Sequence, residues 1–305
     1  MEHKYTRYVQ KNKYKIIKCE SCGYWHVFPM PTENEIINYY KKEYYNTVPD
    51  PAVKDKLNDD PDNFYYIQYN DRLRHITKLL PFELPKSIID IGAGYGDFLN
   101  FMKLNGWAVQ GIEPSVKAYK NIKDKTMDIK LGNINNISEL KLNPSSVITL
   151  NNVLEHLKEP RKTLEIIKKY LLLKKGILLI IVPNEFNILQ HLLMNTVLKK
   201  VSENHYYWVS PPAHLNYWSH KTIKNFLESC GFNVQYIISD FPMEIFPLIG
   251  DNYITYPELG RKAHLKRVKF EKFFSKVPLI KFKDTLYKFF AKIGLGRATH
   301  VYASI

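Results

Sequence analysis

The segment KSIIDIGAGYGDFLNFM, residues 86–102, sets three glycines and two carboxylates at the end of an apolar, strand-length run. Glycines in such a place let backbone N–H groups and a bound molecule approach closely. A dinucleotide loop spaces its glycines G-x-G-x-x-G, whereas Gly92, Gly94 and Gly96 stand two and two apart. Asp90 at the strand end and Asp97 just past the loop would face a pyrophosphate with like charge, which disfavours NAD or FAD. The same carboxylates suit a ligand carrying an ammonium and a sulfonium, with Asp90 holding the positive part directly or through water. Glu113, in IEPS at the end of the next apolar run, can accept both hydroxyls of a ribose. Asn133, in LGNI, can read an adenine amine, and NNVLEHLKEP follows the fourth run.

These residues need strand ends to hold them. Apolar runs at 87–91, 108–112, 127–131, 146–150 and 177–182 alternate with helix-length amphipathic stretches, the pattern of repeated βαβ units. A helix behind Pro160 should carry Leu164, Ile167 and Leu171 inward and end at Gly176. Ser219 caps HKTIKNFLESC, Gly231 stops it, and NVQYIIS (233–239) and THVYASI give two further strands. If those two pair antiparallel, residues 240–297 are an insertion. Within it Phe270, Phe273, Phe274 and Val277, and then Leu286, Phe289, Phe290 and Ile293, repeat at i, i+3, i+4, i+7, which predicts two amphipathic helices packed on each other or on the body. A basic membrane-surface element would show the same pattern. Thr32 and Glu35 form a capping box, and FYYIQYNDRLRHITKLL predicts a Tyr-rich helix leading into the first strand of the sheet.

The combination DIGAGYGDF, IEPS, LGNI and NNVLEHLKEP resembles the class I S-adenosylmethionine-dependent methyltransferases, in the small-molecule branch that includes quinone and sugar or polysaccharide-pathway enzymes. The resemblance covers residues 65–239 and the final strand. It implies a seven-stranded sheet whose sixth and seventh strands are antiparallel, which with the pattern above gives a doubly wound, Rossmann-like α/β fold with an N-terminal helical lid and a helical insertion before the last strand. S-adenosylmethionine carries the ammonium and sulfonium that the glycine loop calls for. The resemblance places its contacts at Gly92, Gly94, Glu113, Asn133 and the Asn151–Asn152 backbone, and Asp90, Ala93, Gly96, Pro114 and Ile134 complete the expected cofactor-binding set. The family often has Asp where this chain has Asn133. The domains expected are 1–62, a knuckle and helical lid; 63–239 with 298–305, the cofactor-binding core; and 240–297, a basic helical insertion on the acceptor side or the surface.

Several further motifs invite chemistry. YKIIKCESCGYWHVFPMP, residues 14–31, resembles half of a zinc ribbon that precedes some polysaccharide-pathway methyltransferases. Cys19, Cys22, His26 and His3 supply the right ligand types for zinc, but one C-x-x-C pair stands where those ribbons have two. The expectation is a knuckle that packs without metal. His156, after the fourth strand, and His214, in SPPAHLNYWS, are the candidate general bases. His156 could instead fix the turn at Glu155, while HLNYW resembles a family segment beside the acceptor pocket. His191, His205, Tyr206, Tyr207 and Trp208 suit either a lid stacking on a ring or plain packing. Arg261 and Arg267 could bind a phosphate of a phosphorylated or nucleotide-linked acceptor, or belong to a solvated face with His264 and Glu271.

At 305 residues, 45% hydrophobic and 24% charged, the composition is that of a globular protein. The basic first residues and the short run GILLIIVP exclude a secretory signal or a bilayer span as read from sequence, and three cysteines fit a reducing, cytoplasmic setting. Net charge is +14, and residues 261–305 hold twelve Lys and Arg against Glu271 and Asp284, so the excess is a local surface. The expected activity is methyl transfer to O or N of a small acceptor, a sugar, nucleotide sugar or surface-polysaccharide intermediate. The alternatives are an RNA methyltransferase using the basic segment, and a non-catalytic binding protein on the same fold. NNVL in place of an N-P-P-Y-like segment disfavours nucleic acid as partner, peripheral membrane contact stays open, and the sequence leaves the oligomeric state open.

Overall fold

The apolar runs at 87–91, 146–150 and 177–182 become strands covered on both faces, which is why they read as continuous hydrophobic text, whereas the 127–131 run forms the partly exposed edge strand. The computed structural model describes residues 2–39, 64–199 and 206–305. Three strands, β1 (Tyr5–Lys11), β2 (Tyr14–Cys19) and β3 (Trp25–Val27), open the chain, and α1 (Glu33–Tyr39) follows. The capping box forms as read: Thr32 donates its N–H to Glu35 Oε2 at 2.9 Å, and Glu35 returns one to Thr32 Oγ1 at 3.3 Å. The rest of the expected lid, from residue 40 to 62, and His205 lie outside the described residues.

The main sheet contains β4 (Ser87–Ile91), β5 (Ala108–Glu113), β6 (Asp128–Leu131), β7 (Ser145–Asn151), β8 (Leu172–Pro183), β10 (Asn233–Ser239) and β11 (Ala298–Ser304). Their order is β10-β11-β8-β7-β4-β5-β6, and β11 runs antiparallel to both of its neighbours while the other pairs are parallel. α2 (Phe64–Leu79) leads into β4, and the connections between strands carry α3 (Asp97–Leu104), α4 (Val116–Lys120), α5 (Pro160–Ile166), α6 (Ile188–Asn195) and α7 (His220–Ser229). One core joins Ile89, Ile148, Leu150, Leu178 and Ile180 to Leu164, Ile223 and Phe226, and the opposite face joins Ile88, Val147 and Leu179 to Leu99, Met102 and Ile76. Burial of each such side chain contributes roughly 1.5–3 kcal/mol, so the two-faced sheet dominates stability.

Two local expectations are corrected. The helix behind Pro160 does not reach Gly176: it widens over Ile167–Leu171 and β8 begins at Leu172. Gly176 lies inside the strand, at a register shift, where a Cβ would meet Ser146 O at 2.6 Å. The residue serves close backbone approach and does not stop a helix.

The insertion forms α8 (Leu259–Phe274) and α9 (Ile280–Lys292), but their inward faces are Ala263, Arg267, Glu271 and Lys283, Tyr287, Ala291. Of the predicted apolar stripes, Phe273, Val277, Phe289 and Ile293 are exposed, while Phe270, Leu286 and Phe290 pack against the core. The reason is a buried charged seam. Arg267 donates to Asp240 at 2.7 Å, Lys283 to Asp71 at 2.6 Å, and the Tyr287 hydroxyl to Glu271 at 2.7 Å. Interior charges require such partners, and satisfying them sets the helix rotation. Among the described residues no helix is long and apolar enough to cross a membrane.

The N-terminal strands form a second sheet, β1-β2-β3-β9, in which β9 is Asn216–Tyr217 from the HLNYW segment. Trp25 pairs with Tyr217 and His26 with Asn216.

Candidate active site

The glycine loop leaves β4 in a conformation that L-residues avoid, with Gly92, Gly94 and Gly96 at φ of +76°, +59° and +80°. At Gly92 a side chain would also strike Val153 Cγ2 at 2.5 Å, whereas the space beside Gly94 is open. The loop amides are largely spent on the protein. Gly92 and Ala93 donate to Ile112 O at 2.8 and 3.0 Å, Gly96 donates to Ala93 O at 3.0 Å, and Gly94 donates to Glu113 Oε2 at 2.7 Å. A loop wired in this way is a poor phosphate cradle, since the amide of its middle glycine is held by a carboxylate.

Glu113 closes β5 and takes a second bond, from Ser115 N–H to Oε1 at 2.7 Å. Burial raises its carboxyl above the usual range, while the Ser115 and Gly94 amides favour the charged form. A carboxylate has four acceptor sites, so two stay available for a ribose diol. Asp90 is further inside than the sequence suggests. It is buried in β4, accepts the Thr149 hydroxyl at 2.5 Å, and is pushed up to about 7 by burial. That geometry places the carboxyl under the loop, bonded across to β7, so any influence on a ligand ammonium passes from below.

The remaining expected contacts sit at neighbouring strand ends. Pro114 is exposed, Ile134 buried, and the exposed Asn133 turns its Oδ1 onto Asn135 N–H at 3.0 Å, capping a short turn. Asn152 adopts φ of +53° past β7, its N–H bonded to Ile181 O at 2.9 Å. Sequence reasoning missed Arg72 on α2. Its guanidinium is buried over the rings of Tyr69 and Phe98, within electrostatic reach of Asp90, and its Nε and Nη1 have no partner. A buried cation with two unbonded N–H donors, on the side of Asp90, fits the carboxylate of the methyl donor's amino-acid part. Together with Glu113 and the open side of Gly94, it gives a set of residues that fits S-adenosylmethionine.

Across from the loop, residues 213–217 are stitched to the turn after β7. Leu215 N–H donates to Glu155 O at 2.8 Å, His156 Nδ1 to Ala213 O at 2.7 Å, and Asn216 Nδ2 to Leu157 O at 2.7 Å. These bonds bring the two candidate bases together, with ring centroids 5.0 Å apart. His214 Nδ1 lies 3.2 Å from Oε1 of Glu185, a buried carboxylate just past β8. Burial lowers the affinity of His214 for a proton, but the Glu185 bond and the charges of Glu185 and Glu155 outweigh it, so the imidazole titrates above 6.5. His156 moves the other way, to about 4, through burial and the neighbouring His214. Glu155 is fully buried with neither oxygen bonded, and burial carries it up to about 7. Glu155 was foreseen only as a turn residue, and Glu185 not at all. A carboxylate immediately after the fifth strand, in VPNEF, was the available signal for the second.

The aromatic residues before HLNYW resolve as packing. Trp208 is buried, and Tyr206 and Trp208 surround Phe186, which stacks on Trp25 at 4.3 Å. His191 is exposed on α6. Arg261 and Arg267 do not make a joint phosphate site: Arg267 is held inside by Asp240 and lies over Phe64, while Arg261 faces solvent. At the N-terminus, His3, Cys19, Cys22 and His26 do come together.

The strand order, the glycine loop behind β4 and the acidic end of β5 define a class I S-adenosylmethionine-dependent methyltransferase. Residues 65–237, more than half of the chain, match the methyltransferase domain family, and the chain belongs to that family. No curated protein matches the sequence. Among solved structures, the chain is similar to a SAM-dependent methyltransferase from Archaeoglobus fulgidus, at 15% identity and TM-score 0.51, over 86% of this chain and 100% of that one. It is also similar to the plantazolicin methyltransferase BpumL, at 15% identity and TM-score 0.49 over 88% and 92% of the two chains. A SAM-dependent methyltransferase from Aquifex aeolicus aligns at 20% identity and TM-score 0.42 over 63% and 93%.

Proposed function

We propose that the chain methylates an oxygen or nitrogen of a small acceptor, a sugar, nucleotide sugar or surface-polysaccharide intermediate, with His214 as general base. The observation that carries the reading is the Glu185–His214 pair, seated on the turn that follows β7. S-adenosylmethionine supplies an electrophilic methyl group when bound. Glu113 would hold its ribose, Arg72 its carboxylate, Asn133 its adenine edge, and the open side of Gly94 would admit its body. Pro114, Ile134 and the Asn151–Asn152 turn border that position at the strand ends.

The work left to the protein is placement and one proton. Orientation in a dry site can supply up to roughly 7–11 kcal/mol. A positioned base adds roughly 10²–10⁴-fold when the acceptor is a hydroxyl, whose proton must leave. Glu185 orients His214 through Nδ1 and stabilises the imidazolium that forms, which leaves Nε2 to take the proton. His156 stays neutral and positions the 213–217 segment through Ala213.

The sugar class is supported by the resemblance of residues 14–31 to segments preceding polysaccharide-pathway enzymes. We would incubate the enzyme and isotopically labelled S-adenosylmethionine with a panel of nucleotide sugars and sugar phosphates, and read added methyl mass. Label appearing in RNA and in none of the sugars would replace this acceptor class. Donor binding without turnover of any acceptor, in titration calorimetry, would support the binding-protein alternative.

A further inference from the structure

We infer that His3, Cys19, Cys22 and His26 bind one zinc ion. Their donor atoms all lie within 4.8 Å of one another. With zinc–sulfur bonds of about 2.3 Å and zinc–nitrogen bonds of about 2.0–2.1 Å, a tetrahedral site sets neighbouring S and N atoms about 3.5 Å apart. His3 Nδ1 stands 3.4 Å from Cys19 Sγ and 3.6 Å from Cys22 Sγ.

The chain around the four donors is arranged for this. β2 ends at Cys19, and the turn that follows folds back so that Cys22 N–H points at Cys19 Sγ at 3.3 Å, which turns the two sulfurs to the same side. Gly23, at φ of +81°, lets the turn close with its N–H on Cys19 O at 3.0 Å. His3 is carried in because Glu20 N–H bonds Lys4 O at 2.8 Å and the Ser21 hydroxyl bonds Glu2 O at 2.9 Å.

His26 is the independent observation. It is 2% exposed, and its Nδ1 donates to Val27 O at 2.9 Å, which fixes the tautomer and leaves the lone pair on Nε2. That buried Nε2 has no hydrogen-bond partner. An imidazole anchored to a carbonyl through one nitrogen, with the other bare among two sulfurs and a second imidazole, is the usual state of a metal ligand. A leftover packing histidine would leave a buried acceptor unsatisfied, which folded proteins rarely tolerate. Two sulfurs and two imidazoles in tetrahedral array select zinc among common divalent ions.

The ion would act by positioning. β3 begins three residues after Cys22 and pairs Trp25–Tyr217 and His26–Asn216 with the strand that follows His214. Zinc would thus lock the acceptor-side segment to the N-terminal sheet, whatever the acceptor is.

The test uses the full-length protein grown with added zinc and measures metal by mass spectrometry, where about one zinc per chain is expected. His3→Gln should weaken zinc at least about tenfold in chelator competition, and Cys22→Ser should abolish binding, while Cys230→Ser, outside the cluster, should keep it. Cobalt added to the stripped wild-type chain should give thiolate charge-transfer bands and the strong visible bands of a tetrahedral ion, a readout that survives if a variant fails to fold. Substoichiometric zinc together with a featureless cobalt titration would overturn the inference, as would a Cys19–Cys22 disulfide in protein prepared under reducing conditions.

Discussion

The donor half of the site and the acceptor half are built differently. Around the glycine loop, each carboxylate is bonded directly: Glu113 by the Gly94 and Ser115 amides, and Asp90 by the Thr149 hydroxyl on the adjoining strand. Around His214, four titratable side chains from three strand-end segments depend on long-range backbone bonds, such as Leu215 to Glu155 and Ala213 to His156. Direct bonds to each carboxylate give a rigid receptor for a fixed ligand. Non-local wiring gives a site whose proton affinities are set by burial and by each other.

The comparison predicts that damage on the acceptor side falls on turnover and damage on the donor side on binding. His214→Ala should lower kcat by roughly 10²–10⁴-fold while the donor's Kd, from calorimetry, changes less than about twofold. Unchanged kcat would return His214 to a structural role. Glu113→Ala removes both ribose acceptors and strands the Gly94 amide, so donor affinity should fall by about 10–100-fold, the value of one or two charge-assisted hydrogen bonds. Equal affinity in the variant would end the ribose assignment.

Glu185→Gln should reduce kcat about tenfold and move the acid limb of the pH profile to lower pH. The sign follows from the raised His214: the base works once deprotonated, so wild-type kcat/KM should climb as pH rises through the region above 6.5. Removing the Glu185 charge withdraws the cause of that elevation. An unmoved acid limb would mean that another group, with Glu155 near 7 the first candidate, sets the profile. The smallest effect belongs to Asn133→Ala, because Oδ1 already caps its own turn. A loss of donor affinity near threefold is expected there, and a tenfold loss would raise the adenine contact to a principal one.

The contrast also explains what was legible in the sequence. The sheet, the glycine loop and Glu113 follow from period, spacing and the chemistry of adjacent residues, and the structure places them as read. Asp90 was seen at its strand end, but its inward turn onto Thr149 depends on the register between β4 and β7. Arg72 and Glu185 were not marked, and Glu155 only as a turn residue, because each gains its significance from partners in other segments. The same limit applied to the insertion. A hydrophobic count chose Phe273, Val277, Phe289 and Ile293 as inward, whereas the pairing of Arg267 and Lys283 with acids on other elements fixed the helix rotation. Buried ion pairs leave no periodic signal.

The position of β11 bears on how the molecule comes together. Pro183 pairs with Ala298, so β8 must wait for a partner synthesised more than a hundred residues later, and β10 waits beside the same gap. Until that strand arrives, the growing chain exposes a long, apolar edge of its central sheet, the kind of surface that recruits chaperones or sticks to other nascent chains. The sheet is joined across this gap only when β11 inserts between β8 and β10, which ties β10 to the other five strands.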